Sequence, residues 1–126
     1  MIASLLMPVL KIDKRISVGD FQKEFNAIFP FLKIEFFKPS TKVGASSYKT
    51  ASLMTSRDHI ANDIKSSTIS IDSMTTVAQL KKLLSEKLGL LSLIYRKSGA
   101  MWIETSLTED WSLERQNHEA EQMNVN

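Results

Sequence analysis

Residues 12–38 and 71–97 repeat one pattern of side chains at an offset of 59 positions, and that repeat limits the folds open to this 126-residue chain. Aligned without a gap, IDKRISVGDFQKEFNAIFPFLKIEFFK and IDSMTTVAQLKKLLSEKLGLLSLIYRK share six of 27 residues: Ile12/Ile71, Asp13/Asp72, Val18/Val77, Lys23/Lys82, Leu32/Leu91 and Lys38/Lys97. The matching hydrophobic pattern is the stronger signal, because it sets the same elements in the same order twice. In each copy a short apolar strand ends at Ile-Asp, and Ser17 or Thr76 follows where a hydroxyl can accept from the free N–H groups of a helix start. Val18, Phe21, Phe25, Ile28 and Phe29 then recur at helical spacing, as do Val77, Leu80, Leu84 and Leu88. Pro30 and Gly89 occupy matching stop positions, each ending a helix for its own backbone reason. An alternating strand follows, with Leu32, Ile34 and Phe36 on one face and Leu91, Leu93 and Tyr95 at the equivalent places.

The pattern predicts a single domain over 1–126 built from two β-α-β halves, with a basic insertion at 38–57 and an acidic tail at 112–126. Asp58–Ile64 reads as a short inserted helix capped by Asp58, and KSGAMWIET as a turn at Ser98-Gly99 leading into a fifth strand. Helices packed on one face of an antiparallel sheet make this an α+β chain of ferredoxin-like plan with an added C-terminal hairpin strand. A β-grasp, ubiquitin-like plan is the alternative, since Ile69–Glu104 alone reads β-α-β-β. If the helices cover Leu32, Ile34, Phe36, Leu91 and Leu93, the opposite face carries Leu5, Met7, Val9, Phe31, Lys33, Glu35, Phe37, Ile94 and Trp102, too apolar a set for a fully solvated surface, with Phe31, Phe37, Ile94 and Trp102 as the candidate contact residues.

The chain has no cysteine, which excludes disulfides, thiolate metal sites and cysteine nucleophiles. MIASLLMPVLKI is apolar, yet it lacks a basic n-region and a small-residue cleavage site and is too short to span a bilayer. A buried strand and a cytoplasmic chain without membrane partners are the expectation. Charge is uneven: residues 1–103 carry 15 Lys and Arg against 8 Asp and Glu, whereas residues 104–126 carry only Arg115 against six acids. A basic body with an acidic end suits binding to polyanions, to its own tail or to another copy.

The insertion KPSTKVGASSYKTASLMTSR has no hydrophobic period and no acid. Gly44-Ala-Ser-Ser-Tyr-Lys49-Thr50 fails as a phosphate-binding P-loop, because Tyr48 stands where a second glycine must precede the lysine. What remains is a cationic loop, Lys38, Lys42, Tyr48, Lys49 and Arg57, able to hold a phosphate backbone without reading its sequence or simply to link two halves. STISID, the expected third strand, has no aromatic residue, and the RNA-recognition signature is missing, which argues against the sheet as an RNA platform. Asp58, His59 and Asp63 form a sparse potential ligand set, as do Glu114 and His118, but Asp58 is also a natural cap. With two histidines and no adjacent Ser or Asp partner, no catalytic triad, metal or cofactor is expected.

The most distinctive local pattern is W-x-E-T-S-x-T-x-D-W-x-L-x-x-Q-N: Trp102, Glu104, Thr105, Ser106, Thr108, Asp110, Trp111, Leu113, Gln116 and Asn117. With the upstream FPFLKIEFF, it resembles a family of small uncharacterised bacterial proteins; the resemblance implies no activity. A Trp pair there reads first as a clasp that brings the chain end onto the core. The function expected from these features is a non-enzymatic interaction or regulatory module that self-associates through the open sheet face. Nucleic-acid or phosphate-ligand binding through residues 38–57 is the alternative.

Overall fold

Both predicted helix starts are fully capped, and the way they are capped shows how far the repeat extends. The structure, a computed structural model, describes residues 9–12, 15–39, 51–61 and 69–124. Its elements run β1 (Leu10–Ile12), β2 (Ile16–Ser17), α1 (Val18–Ile28), β3 (Leu32–Lys38), β4 (Ser52–Leu53), β5 (His59–Ala61), β6 (Ile69–Ile71), α2 (Val77–Leu88), β7 (Leu91–Ser98), β8 (Met101–Glu104), a 3-10 turn (Ser106–Thr108) and α3 (Leu113–Asn124). At α1 the Ser17 hydroxyl accepts from Asp20 N, and Val18 N and Gly19 N donate to the carbonyls of Asp58 and Ser56. At α2 Thr76 and Gln79 close a reciprocal capping box, and Val77 N and Ala78 N donate to the carbonyls of Trp111 and Glu109. The correspondence continues one residue on, where Ser17 pairs with His59 and Thr76 bridges to Ser112. Residues 55–59 and 108–112 therefore do the same work in the two halves. The repeat is a β-α-β-β unit used twice, wider than the segment its side-chain pattern reveals.

The strand ladders join the two units about a pseudo-twofold axis. β1 runs antiparallel to β6 with Lys11 opposite Ser70, residues 59 apart, and β3 runs antiparallel to β7 with Ile34 opposite Ile94, residues 60 apart. The added residue comes from α2, which has 12 residues against 11 in α1 and ends at Gly89 in the left-handed conformation, φ 67°. A one-residue slip moves every side chain of a strand to the other face of the sheet. Ser92 and Ile94, rather than Leu91, Leu93 and Tyr95, thus share the helix-covered face with Leu32, Ile34 and Phe36. The gapless alignment had these faces of β7 reversed.

The chain is α+β with antiparallel sheets, one of them four-stranded in the order β4-β3-β7-β8. A ferredoxin-like plan lays the strands of both halves side by side in one sheet, and a β-grasp plan sets β6 in one sheet with β7 and β8. Among the described residues, β1 and β6 pair with each other alone, as do β2 and β5. The helices bury Val18, Phe21, Phe25, Val77, Leu80, Leu84 and Leu113 against Leu32, Ile34, Phe36 and Ile94 in one core, with Phe21 and Phe36 edge to face at 5.6 Å.

Two segments depart from expectation. His59–Ala61 is a strand rather than part of a helix, because Asp58 closes a turn: its carboxylate accepts from Thr55 N at 2.7 Å and from the Thr55 hydroxyl at 3.2 Å. Much of the acidic tail is α3, whose Leu113, Gln116 and Ala120 are buried.

Candidate interaction face

The slip in β7 decides what the helix-free face of the large sheet presents. Strand alternation and the pairings Phe37↔Leu53, Phe37↔Leu91, Glu35↔Leu93, Lys33↔Tyr95, Tyr95↔Glu104 and Lys97↔Trp102 set these residues on one face. The three helices all bury their apolar stripes on the other side, so among the described residues no helix covers this one. One end is apolar, with Leu53 (57% exposed), Phe37, Leu91 and Leu93. At the other end the Lys33 ammonium lies 5.1 Å from the Tyr95 ring and 5.2 Å from the Trp102 ring. Such contacts add about 0.5–1 kcal/mol where water reaches them, and here they hold a cation against two half-buried aromatics.

Of the residues assigned to this face from sequence, Lys33, Glu35, Phe37 and Trp102 lie on it, all half-buried, while Leu5 and Met7 lie outside the described residues. Phe31 sits just before β3, where its N–H donates to the Asn117 side chain at 2.8 Å and its carbonyl accepts from Lys97 N at 2.9 Å. Ile94 does not belong there: it is fully buried under the helices, for the register reason given above. Leu53, Leu91, Leu93 and Tyr95 take part instead, and the signal that could have placed the last three is the extra residue of α2.

The structure describes the basic loop only at its ends. Lys38 is exposed at the end of β3 opposite Ser52, and Arg57 is exposed in the turn before β5, while Lys42, Tyr48 and Lys49 lie outside the described residues. Asp58 is held below the ordinary Asp range chiefly by the Thr55 backbone N–H, with the Lys38 and His59 charges adding to the effect. The caps already described occupy the first N–H groups of α1 and α2. Those of α3 are taken too: Leu113 N and Glu114 N donate to the carbonyls of Thr75 and Ser73, and Arg115 N to the Ser112 hydroxyl. The usual anion-binding groups of a helix start are thus occupied.

Asp58 serves its turn and a nitrogen of Arg15 lies 3.5 Å from His59 Nδ1, while Asp63 lies outside the described residues. Glu114 and His118 line a groove of about 710 Å³ with Ile28, Phe29 and Met74, and among the described residues no cluster of three or more His, Asp and Glu side chains is placed to hold a metal.

The C-terminal pattern resolves into a clasp. The Thr105 hydroxyl donates to the Ile94 carbonyl at 2.7 Å, and the buried Gln116 amide donates to the Thr108 carbonyl at 2.8 Å and hydroxyl at 2.7 Å. Arg115 lies 3.9 Å over the Trp111 ring, and Lys81 pairs with Glu109 at 3.1 Å. Trp102 and Glu104, on the outer face, are the members of the pattern left among the face residues. No described helix is long and apolar enough to cross a membrane. Comparison of the chain with protein-family models, curated proteins and solved structures finds no match.

Proposed function

We propose that this chain is a non-enzymatic protein-interaction module, a duplicated β-α-β-β scaffold that offers the outer face of its four-stranded sheet to a partner. The observation that carries the reading is the face that no helix covers among the described residues, on which Leu53, Phe37, Leu91, Leu93, Tyr95 and Trp102 adjoin. Contiguous apolar surface of this kind is where soluble domains dock. Aromatics flanked by charge suit it further, because they bury large area at low entropic cost while the charges set orientation. The polar groups nearest to a chemical role have structural work instead: Asp58 in a turn, Thr105, Thr108 and Gln116 in the clasp.

The test places a photo-crosslinking amino acid at Phe37 or Leu53, and as controls at the exposed Lys23 and Lys82, in the protein expressed in its own cells. Discrete covalent adducts from positions 37 and 53 alone are expected. Equal yields from all four positions, or none from the face, would sink the reading.

A further inference from the structure

We propose that two copies of this chain join edge to edge along β8, pairing antiparallel so that two four-stranded sheets become one. The surface differs from the outer face, and the inference stands without that reading. It starts from the hairpin. Gly99 (φ 62°) and Ala100 form a two-residue loop, so Ser98 and Met101 make the closing hydrogen-bonded pair. The alternation of an antiparallel ladder then turns the backbone N–H and C=O of Met101 and Ile103 towards β7 and those of Trp102 and Glu104 outward. Thr105 fits this parity, since its N–H donates to the Ile94 carbonyl at 3.1 Å. Among the described residues no strand pairs with the outward side of β8.

Natural proteins blunt such edges with charge, proline, very short strands or cover. This molecule does so on its other side. β4 is two residues long, and past its end the edge of β3 is occupied by helix side chains: the Gln22 amide donates to the Ile34 carbonyl at 2.8 Å and the Asn26 amide to the Leu32 carbonyl at 3.0 Å. β8, Met-Trp-Ile-Glu, is four residues long without proline, and its single charge, Glu104, lies at its end. Met101 is 69% exposed and Ile103 40%, and Leu107, just beyond the strand, is 97% exposed.

A second copy fits this edge because the strand is complementary to itself. Antiparallel pairing centred on Ile103 places Ile103 opposite Ile103 in the close, non-hydrogen-bonded position. It places Trp102 opposite Glu104, the pair that exchanges both backbone bonds. No like charges face each other, and Glu104 of one copy comes beside the Trp102 ring on which Lys33 of the other already rests. The two halves of a single chain meet in the same way, with Ile34 opposite Ile94 at their pseudo-twofold axis.

Because the chain contains no cysteine, Ile103→Cys carries a single thiol at the proposed axis. The full chain is expected to show a native mass twice its 14.2 kDa. Under mild oxidation Ile103→Cys should form a covalent dimer at least about tenfold faster than the more exposed Leu107→Cys, since paired thiols react at a high effective concentration. Ile103→Lys, which blunts the edge without touching the core, should return the mass to one chain with unchanged circular dichroism. Phe37→Glu should leave the dimer intact. A monomer at every concentration, equal oxidation rates for the two cysteine variants, or a dimer lost in Phe37→Glu and kept in Ile103→Lys would each overturn the proposal. The last result would move self-association to the outer face.

Discussion

Ile94→Ala and Leu93→Ala, neighbours on one strand, test the register on which the face depends. Ile94 is completely buried opposite Ile34, with helices above it, whereas Leu93 is half-exposed on the outer face opposite Glu35. Truncating Ile94 removes about three methylene equivalents at about 0.8 kcal/mol each. The cavity left in a closely packed core adds about 1 kcal/mol, for a total of about 3–4 kcal/mol. Leu93→Ala leaves no cavity and should cost under about 1 kcal/mol. Urea unfolding reads the difference: with a slope of about 2 kcal/mol per molar, Ile94→Ala moves the midpoint down by about 1.5–2 M and Leu93→Ala by under about 0.5 M. The slopes should not change. Equal costs, or a larger cost at Leu93, would mean that β7 keeps the gapless register, with Leu91, Leu93 and Tyr95 in the core and the proposed face dismantled. Aspartate at each position sharpens the contrast: Leu93→Asp should fold, and Ile94→Asp should not.

Gln116→Leu removes the bonds donated to Thr108 from a fully buried site and should cost about 2–3 kcal/mol. The exposed Gln122→Leu on the same helix should cost under about 0.5 kcal/mol, and similar melting temperatures for the two would refute the clasp. At Gly19 an added Cβ would lie 3.0 Å from Ser56 Cβ and 3.1 Å from the Ser56 carbonyl oxygen. Gly19→Ala should therefore lower the melting temperature despite alanine's better helix propensity; a rise would show that the 55–58 turn yields. Asp58 loses its proton more readily in the folded chain than in the unfolded one, so its contribution is present at neutral pH and drains away as pH falls below the ordinary Asp value of 3.8. Asp58→Asn should accordingly be less stable than the parent near neutrality and converge with it in acid, and a stability gap that does not change with pH would contradict this.

What was legible in the sequence was local. Ser17, Thr76 and Gly89 announce the ends of α1 and α2 through groups a few residues away, and the apolar spacing of both helices names the buried side chains. The outer face was half legible. Phe37 and Trp102 fall on it because β3 and the 98–101 hairpin are set by their own alternation and turn, but β7 follows a helix one residue longer than its counterpart, and a period of two turns that residue into a reversed face. The strand at 59–61 was hidden for another reason. Its pairing partner is β2, more than forty residues earlier, and Asp58 serves equally well as a helix cap or as the closing residue of a turn.

The same reasoning explains why so strong a structural repeat leaves so faint a sequence trace. Residues 55–59 and 108–112 cap equivalent helices through backbone carbonyls, which any residue supplies, so the two segments, Thr-Ser-Arg-Asp-His and Thr-Glu-Asp-Trp-Ser, share only their threonine. The core positions of α1 and α2 need apolar bulk, which Phe21 and Phe25 provide in one unit and Leu80 and Leu84 in the other. Symmetry is thus retained where backbone and volume are at stake and lost on the surface. The counterparts β4 and β8 show this most clearly: β4 has two residues and leaves the β3 edge past its end to helix amides, while β8 pairs four residues with β7 and, among the described residues, no strand pairs with its far side, where Met101 and Ile103 are exposed. A scaffold of two equal halves whose edges differ this much has a polarity that packing alone does not require, and a second molecule at β8 supplies a physical reason for it.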